Sequence, residues 1–352
     1  MRRIPIALLY IDEHDAEKWK GVLQSQDNIE LTLIDISRSD WLEQCSRVNY
    51  AVFILRPPGL VERTKALFDE RAQLLTKRYD AIFYPSLLEC LLYENKKYLA
   101  YWLKAQEIPS PPTWVFYNRA EALQWVQESR YPFVGKVNIG ASGKGVSIID
   151  NPAQAKRYVD TAFTVGLKPR VGPNFKHSSI WKKLKNALRN KKLVKRRLTT
   201  YKAVLAESQK YCIFQEFISH QFEWRVVVIG DSYFAHKKMV YKQMASGSLL
   251  KDYSDPPLKL LDFARDICIK NSFLSVSLDI LESADGYLVN EIQCYFGQSD
   301  SFQMKVNGVV GRYVYKGGWV FEAGDFARNQ CYNLRLEHII RLHHQKLETL
   351  QQ

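Results

Sequence analysis

Apolar and polar positions follow two different periods along this chain, and the switches between them outline its elements. Apolar runs at 4–11, 29–36, 50–55 and 81–84 have strand length, while the segments between them, such as Val61–Lys77, repeat their apolar positions with helical spacing. Strands alternating with helices over 1–95 predict a small parallel α/β lobe, with Arg56-Pro-Pro-Gly59 closing its third strand as a loop. Glu94–Gln106 reads as a helix stopped by the stiff linker Ile108-Pro-Ser-Pro-Pro112. Asn118–Ser129 reads as another, with Asn118 as its cap. A hairpin is predicted over 132–149, then a helix capped by Asn151-Pro152. Tyr211–Ile218 and Trp224–Ile229 read as strands, the second turning at Gly230-Asp231 into a third over Ser232–Val240. Asp255-Pro-Pro257 opens a helix that runs to about Lys270. Val276–Leu281 and Tyr287–Ile292 flank the turn Ser283-Ala-Asp-Gly286. A tail rich in Gly, Tyr and Arg follows Gly297 and leads to a closing helix near Tyr332–Leu350.

Composition narrows the class. A hydrophobic share of 46 % supports a buried core. No run approaches the ~18 apolar residues that span a bilayer. The N-terminal Met1-Arg-Arg-Ile-Pro-Ile-Ala-Leu-Leu-Tyr-Ile-Asp12 reads as a first strand, not as a signal peptide. Six cysteines lie scattered with no CxxC pair, so zinc and redox motifs are absent and a reducing cytoplasm is expected.

Charge is concentrated in one place. The net charge is +13, and Thr161–Ala206 holds thirteen Lys and Arg with no Asp or Glu. The rest of the chain is balanced. Within 180–201, Ile180, Trp181, Leu184, Leu188, Val194, Leu198 and Tyr201 approximate a helical stripe among the cations. Such a segment suits a solvated insertion, a helix on an anionic membrane surface, or a clamp for an anionic substrate such as a phosphorylated or uronate-bearing glycan. Nucleic acid is the least favoured partner, since basic charge alone binds it in a salt-sensitive, sequence-blind way.

The chemistry starts at Pro132-Phe-Val-Gly-Lys136-Val-Asn-Ile-Gly140-Ala-Ser-Gly143-Lys-Gly145. Bare N–H groups of a glycine loop can wrap phosphate oxygens, and Lys136 adds a point charge. Taken alone, such a loop is also a plain hairpin turn. Three further pieces follow a set order with it: Asn95-Lys96 at a helix start, Gln215-Glu216-Phe217-Ile218 with Glu223-Trp-Arg225, and Asp279 with Asn290-Glu291-Ile-Gln293. Glu291 and Gln293 are two apart on a strand, so both side chains share one face. Mg²⁺ takes oxygen ligands of this kind.

Over about 90–297 this ordered set resembles the ATP-grasp family, which includes D-alanine–D-alanine ligase, glutathione synthetase and the glutamate-adding ligases. The resemblance implies an α/β fold of three lobes: an N-terminal Rossmann-like lobe, a small lid lobe and a C-terminal mixed-sheet lobe. The expected bounds are 1–93, 94–210 with the basic insertion 161–206, 211–330, and a last helix over 331–352. It implies that Lys96 (with Lys97 as its rival) and Lys136 meet phosphates, and that Gly140, Ser142, Gly143 and Gly145 form the lid over them. Glu216, Phe217 and Ile218 match the adenine hinge, and Glu223 the carboxylate on the ribose hydroxyls. Arg225 and Lys237 are the candidate catalytic cations. Asp279, Glu291 and Gln293 match the ligands of one or two Mg²⁺ ions, with Gln where the family usually has Asn. His220 and His236 have no partner at metal-ligand spacing and read as surface or lining residues. The implied activity is ATP-dependent carboxylate–amine ligation through an acyl phosphate, on a small-molecule, glycan or peptide precursor. A kinase acting on a polyanion, and a non-catalytic nucleotide-binding module at a membrane, are the alternatives. The expected place is the cytoplasm or the inner membrane face.

Overall fold

The computed structural model describes residues 3–140, 145–168, 191–206, 208–241, 244–245 and 250–351. They form two compact units, one from Met1–Pro58, Thr64–Pro111 and Ile218–Gln352, the other from Gly59–Arg63 and Pro112–Phe217.

The first unit begins with β1 (Ile4–Tyr10), β2 (Ile29–Asp35), β3 (Val52–Leu55) and β4 (Ile82–Tyr84). They pair in parallel in the order β2-β1-β3-β4, as the strand–helix alternation predicts. Every residue of β3 is buried, as a strand covered on both faces requires. Trp19 and Leu23 of α1 (Glu13–Gln24) cover one face. Cys45 of α2 (Trp41–Ser46) and Phe68, Ala72 and Leu75 of α3 (Glu62–Arg78) cover the other. In α4 (Leu87–Leu92) the fully buried Glu89 completes a capping box with Ser86. The Glu89 carboxylate also accepts from the backbone N–H of Leu274 (3.0 Å) and Ser275 (2.6 Å), tying this helix to a strand of the second sheet. Asn95 caps α5 (Lys96–Ala105), accepting from Tyr98 N at 3.2 Å, so the helix begins two residues after Glu94.

The second unit is an antiparallel sheet ordered β5-β8-β6-β7, from β5 (Thr113–Phe116), β6 (Phe133–Lys136), β7 (Val146–Ile149) and β8 (Cys212–Glu216). Strand β5 is an addition to the expected elements. Four residues directly after a proline-rich linker carry too little pattern to stand out. Helices α6 (Arg119–Glu128) and α7 (Pro152–Phe163) close its core of Phe116, Val126, Phe133, Val159 and Phe214. Asn118 caps α6 as expected, accepting from Ala120 N (2.8 Å) and Glu121 N (3.2 Å). The basic segment is described only in part. Residues 169–190, and with them Ile180, Trp181, Leu184 and Leu188, lie outside the described residues, while α8 (Lys191–Ala206) is helical as its stripe predicts.

The rest of the first unit is a nine-stranded antiparallel sheet. Its main path runs β14-β13-β9-β10-β16-β15, where β9 is Phe222–Ile229, β10 Ser232–Tyr241, β13 Ser275–Ser283, β14 Gly286–Gln293, β15 Lys305–Val306 and β16 Val309–Tyr315. The short strands β11 (Met244–Ala245) and β12 (Lys251–Asp252) pair with β10, and β17 (Trp319–Ala323) with β16. The alternation along β9 divides its two faces. Trp224, Val226 and Val228 pack with Leu278 and Ile280 against α5 and α9 (Leu258–Lys270), whereas Glu223 and Arg225 point to the opposite face. The closing helix α10 (Tyr332–Gln351) buries Tyr332, Leu336 and Ile339 in the core of the N-terminal sheet. Among the described residues, no helix is long and apolar enough to cross a membrane.

Candidate functional site

Strand register decides which side chains meet on the polar face. The tight turn at Gly230-Asp231 pairs Ile229 with Ser232, which sets Arg225 opposite His236 and Glu223 opposite Lys238. Strand β13 sets Asp279 opposite Arg225, and β14 sets Glu291 opposite Asp279. His236, Arg225, Asp279 and Glu291 therefore form one row across four adjacent strands. Ser277 and Gln293, themselves opposite each other, stand in the next row.

Within these rows two cations and two carboxylates neutralise one another. Arg225 grips Asp279 with both forks, Nε to Oδ1 at 2.8 Å and Nη2 to Oδ2 at 2.9 Å. Lys238 bridges the two acids, 2.7 Å from Asp279 Oδ2 and 2.7 Å from Glu223 Oε2. Asn290 donates to the other Glu223 oxygen at 2.9 Å, and His220 Nε2 lies 3.7 Å from that same oxygen. All four charged residues are buried, Asp279 to 1 % exposure. Burial alone would raise the Asp279 carboxyl, but the Arg225 and then the Lys238 charge override it and hold it far below the usual carboxylate range. Burial likewise works against the Lys238 ammonium, which Asp279 and Glu223 keep charged. His236 is buried and neutral. Desolvation, then the Arg225 and Lys251 charges, pushes it down to about 3, and its Nδ1 lies 2.9 Å from Gln303 O.

The register corrects one assignment. Lys237 pairs with Trp224, so it belongs to the other face. Its ammonium lies over the rings of Phe222 (4.5 Å) and Trp224 (5.0 Å) and 3.8 Å from Asp252. Lys238 takes the place beside Arg225. The signal was available in the sequence, because a two-residue turn at Gly230-Asp231 puts 238, not 237, across from Glu223.

A second cluster adjoins the first. Glu94 has a left-handed backbone, φ +53°, and is 4 % exposed. Its Oε1 accepts from Gln293 Nε2 at 3.1 Å. Its Oε2 is buried without a hydrogen bond among the described residues, with Lys96 Nζ at 3.6 Å. Burial pushes this carboxyl up to about 7; Lys96 opposes that rise, and the Glu291 charge adds to it. Ser277 Oγ is the other buried atom here without a hydrogen bond among the described residues. Glu291 makes no hydrogen bond or ion pair among the described residues. These donors suit a divalent cation bound through oxygen. Glu291 offers an unpaired carboxylate, and Gln293, its N–H committed to Glu94, has its carbonyl oxygen left to offer. Nothing in the spacing of the sequence marked Glu94, which sits outside the helix and far in sequence from Glu223, Asp279 and Glu291.

The second unit carries the remaining candidates. Lys136 ends β6, paired with Val146 and Ile213. The loop then narrows: Val137 N donates to Gly145 O at 2.8 Å and Asn138 N to Gln209 Oε1 at 2.6 Å. A Cβ at Gly145 would stand 2.9 Å from Val137 Cβ, so the approach requires glycine. Gly140 has φ +151°. Ser142 and Gly143 lie outside the described residues. Glu216 ends β8 exposed, its N–H donating to Pro112 O at 2.9 Å, and Phe217, half-buried, follows it. Ile218 opens the next segment of the first unit, half-buried.

No protein-family model matches the sequence, and the curated proteins contain no match to it. Solved structures do match in fold. D-alanine–D-alanine ligase from Bacillus anthracis superposes with a TM-score of 0.55 at 10 % identity, over 98 % of this chain and 100 % of that one. An ATP-grasp RimK domain protein from Sphaerobacter thermophilus gives 0.51 at 16 %, over 83 % and 92 %. The biotin carboxylase domain of Hydrogenobacter thermophilus 2-oxoglutarate carboxylase, a complex with magnesium ADP and bicarbonate, gives 0.52 at 12 %, over 84 % and 65 %. The chain has the ATP-grasp fold.

Replacing Lys238 with Met leaves two buried carboxylates short of a partner and is expected to cost about 3–5 kcal/mol in urea unfolding. Lys237→Met, which removes only the ring contacts and the 3.8 Å pair with Asp252, is expected to cost less than about 1 kcal/mol. Equal costs would contradict the register argument.

Proposed function

We propose that the chain is an ATP-dependent carboxylate–amine ligase that makes an amide through an acyl phosphate. The observation that carries this is the row of paired buried charges ending in an unpaired Glu291, on a fold shared with ligases of that type. In the first step the γ-phosphoryl bond to ADP breaks and a bond to the substrate carboxylate oxygen forms. In the second an amine attacks the acyl carbon, the bond to phosphate breaks, and the amine gives up a proton. Both steps need charge neutralisation more than a protein nucleophile. Arg225 spends Nε and Nη2 on Asp279, which fixes its plane, and its Nη1 donors make no hydrogen bond among the described residues. They are the group we assign to the terminal phosphate. Lys96 in the first unit, and Lys136 with the glycine loop in the second, are assigned to phosphate oxygens. Glu291 and Gln293 would hold Mg²⁺, which neutralises charge on the transferring phosphate when bound. Glu223, fixed by Lys238 and Asn290, is assigned to the ribose hydroxyls. The substrate on this reading is a small-molecule carboxylate, with a surface glycan or peptide precursor as the finer assignment.

We assign the basic segment to an anionic lipid surface. On α8, Lys195, Leu198, Lys202 and Leu205 follow one another at helical spacing and all are exposed, Leu198 to 54 % and Leu205 to 45 %. Cations interleaved with outward leucines suit an interfacial helix better than a solvated one.

Calorimetric titration with ADP is expected to give binding that weakens on removal of Mg²⁺. Lys136→Ala should weaken it by about tenfold or more, ~1.4 kcal/mol. With a panel of carboxylates and amines, free phosphate is the product that marks a ligase, whereas a kinase releases none. Cosedimentation with phosphatidylserine vesicles is expected to fall when Lys195 and Lys202 are changed to Glu. Unchanged cosedimentation would remove the lipid assignment.

A further inference from the structure

We infer that Glu94, with Glu291 and Gln293, holds the divalent cation of this site, and that Asp279 does not; the inference rests on the nucleotide reading above. Asp279 is already served. Both of its oxygens take charged donors at 2.7–2.9 Å, and it is 1 % exposed. A divalent cation on it would stand beside Arg225 and Lys238 in a poorly screened interior, where like charges repel strongly. Drawing Asp279 away would leave both of those cations short of a partner.

Glu94 is in the opposite condition. Its backbone occupies the left-handed region, which costs a residue with a side chain about 1 kcal/mol or more. The result of that conformation is a buried carboxylate whose Oε2 has no hydrogen bond among the described residues and only the Lys96 ammonium, 3.6 Å away, to balance it. Three buried side-chain atoms lack a hydrogen bond among the described residues, and two of them, Glu94 Oε2 and Ser277 Oγ, flank Gln293. Gln293 bonds to Glu94 on one side and is the register partner of Ser277 on the other. Buried polar atoms left open in this way mark a place where water or an ion binds. Glu291, two residues from Gln293 on the same face, brings a carboxylate with no hydrogen bond or ion pair among the described residues. Glu291 brings a charge that no cation among the described residues has taken and Glu94 one shared with Lys96, whereas Asp279 is committed to two cations. Ser277 Oγ, on the register partner of Gln293, would be available to a water of the cation.

The test uses the full-length chain, Mn²⁺ as the probe, and loss of the free-ion electron paramagnetic resonance signal as the readout, with ADP present. Wild type is expected to bind Mn²⁺, and Glu94→Gln to bind it about tenfold or more weakly, the scale on which removing a metal-site residue acts. Circular dichroism checks that each variant is folded. Should Glu94→Gln fail to fold, Glu94→Asp keeps the charge and shortens the reach, and a loss of about threefold or more is expected of it. Mn²⁺ affinity within about twofold of wild type in the folded variant would overturn the inference. Calorimetry on the wild type separates the two claims. If it binds ADP with metal dependence and the variant does too, only this inference fails; if it binds no ADP, the nucleotide reading fails with it.

Discussion

Four charges buried together on one sheet face, Glu223, Lys238, Asp279 and Arg225, set the terms for everything around them. None could be buried alone, since an isolated ion in the interior costs several kcal/mol. As a group they are neutral and hydrogen-bonded, with Lys238 touching both acids and Arg225 holding Asp279 by two bonds. That arrangement exists only if β9, β10 and β13 keep their register. A slip of one residue in any of them would turn charges into the apolar face lined by Trp224, Val226 and Leu278. The network thus acts as a lock on the register, and the locked register is what presents Arg225 and Glu291 at known places.

The same accounting explains what is left over. Once Asp279 is satisfied internally, the carboxylate oxygens of the site that lack a hydrogen bond among the described residues are at the edge of the row. Glu291 stands beyond Asp279 on β14, and Glu94 reaches the site from the residue before the cap of α5. Binding capacity then lies where the protein has not balanced its own charge. The fold keeps its architecture at 10–16 % identity to these structural neighbours. What must persist is an oxygen-lined place of suitable charge, not a particular acid.

Much of this was legible in the chain. The parallel lobe follows from strand–helix alternation, α6 from Asn118, and the β13–β14 hairpin from the turn at Ser283–Gly286, whereas the register shift between Asp279 and Ile280 that sets Glu291 and not Asn290 opposite Asp279 has no mark in the sequence. Lys238 was equally legible, because a two-residue hairpin fixes parity, and reading Lys237 instead placed a cation on the wrong face. Glu94 was not. Its role depends on a left-handed residue between two helices and on a partner 199 positions away in sequence, and no local pattern encodes either. Strands β15 to β17 were hidden for another reason. They are short or interrupted by glycines such as Gly311, whose Cβ would collide with Phe321 and the backbone of Glu322. Their pairing is imposed by neighbouring strands, not by their own periodicity.

The measurement that bears most directly on this account is a crystal structure of the chain with ADP and Mn²⁺, with the metal located from its anomalous scattering. The account predicts a peak at oxygen-ligand distance from Glu94, Glu291 and Gln293, with Asp279 still held by Arg225 and Lys238. A peak on Asp279, with Arg225 or Lys238 turned away from it and Glu94 out of reach, would contradict it.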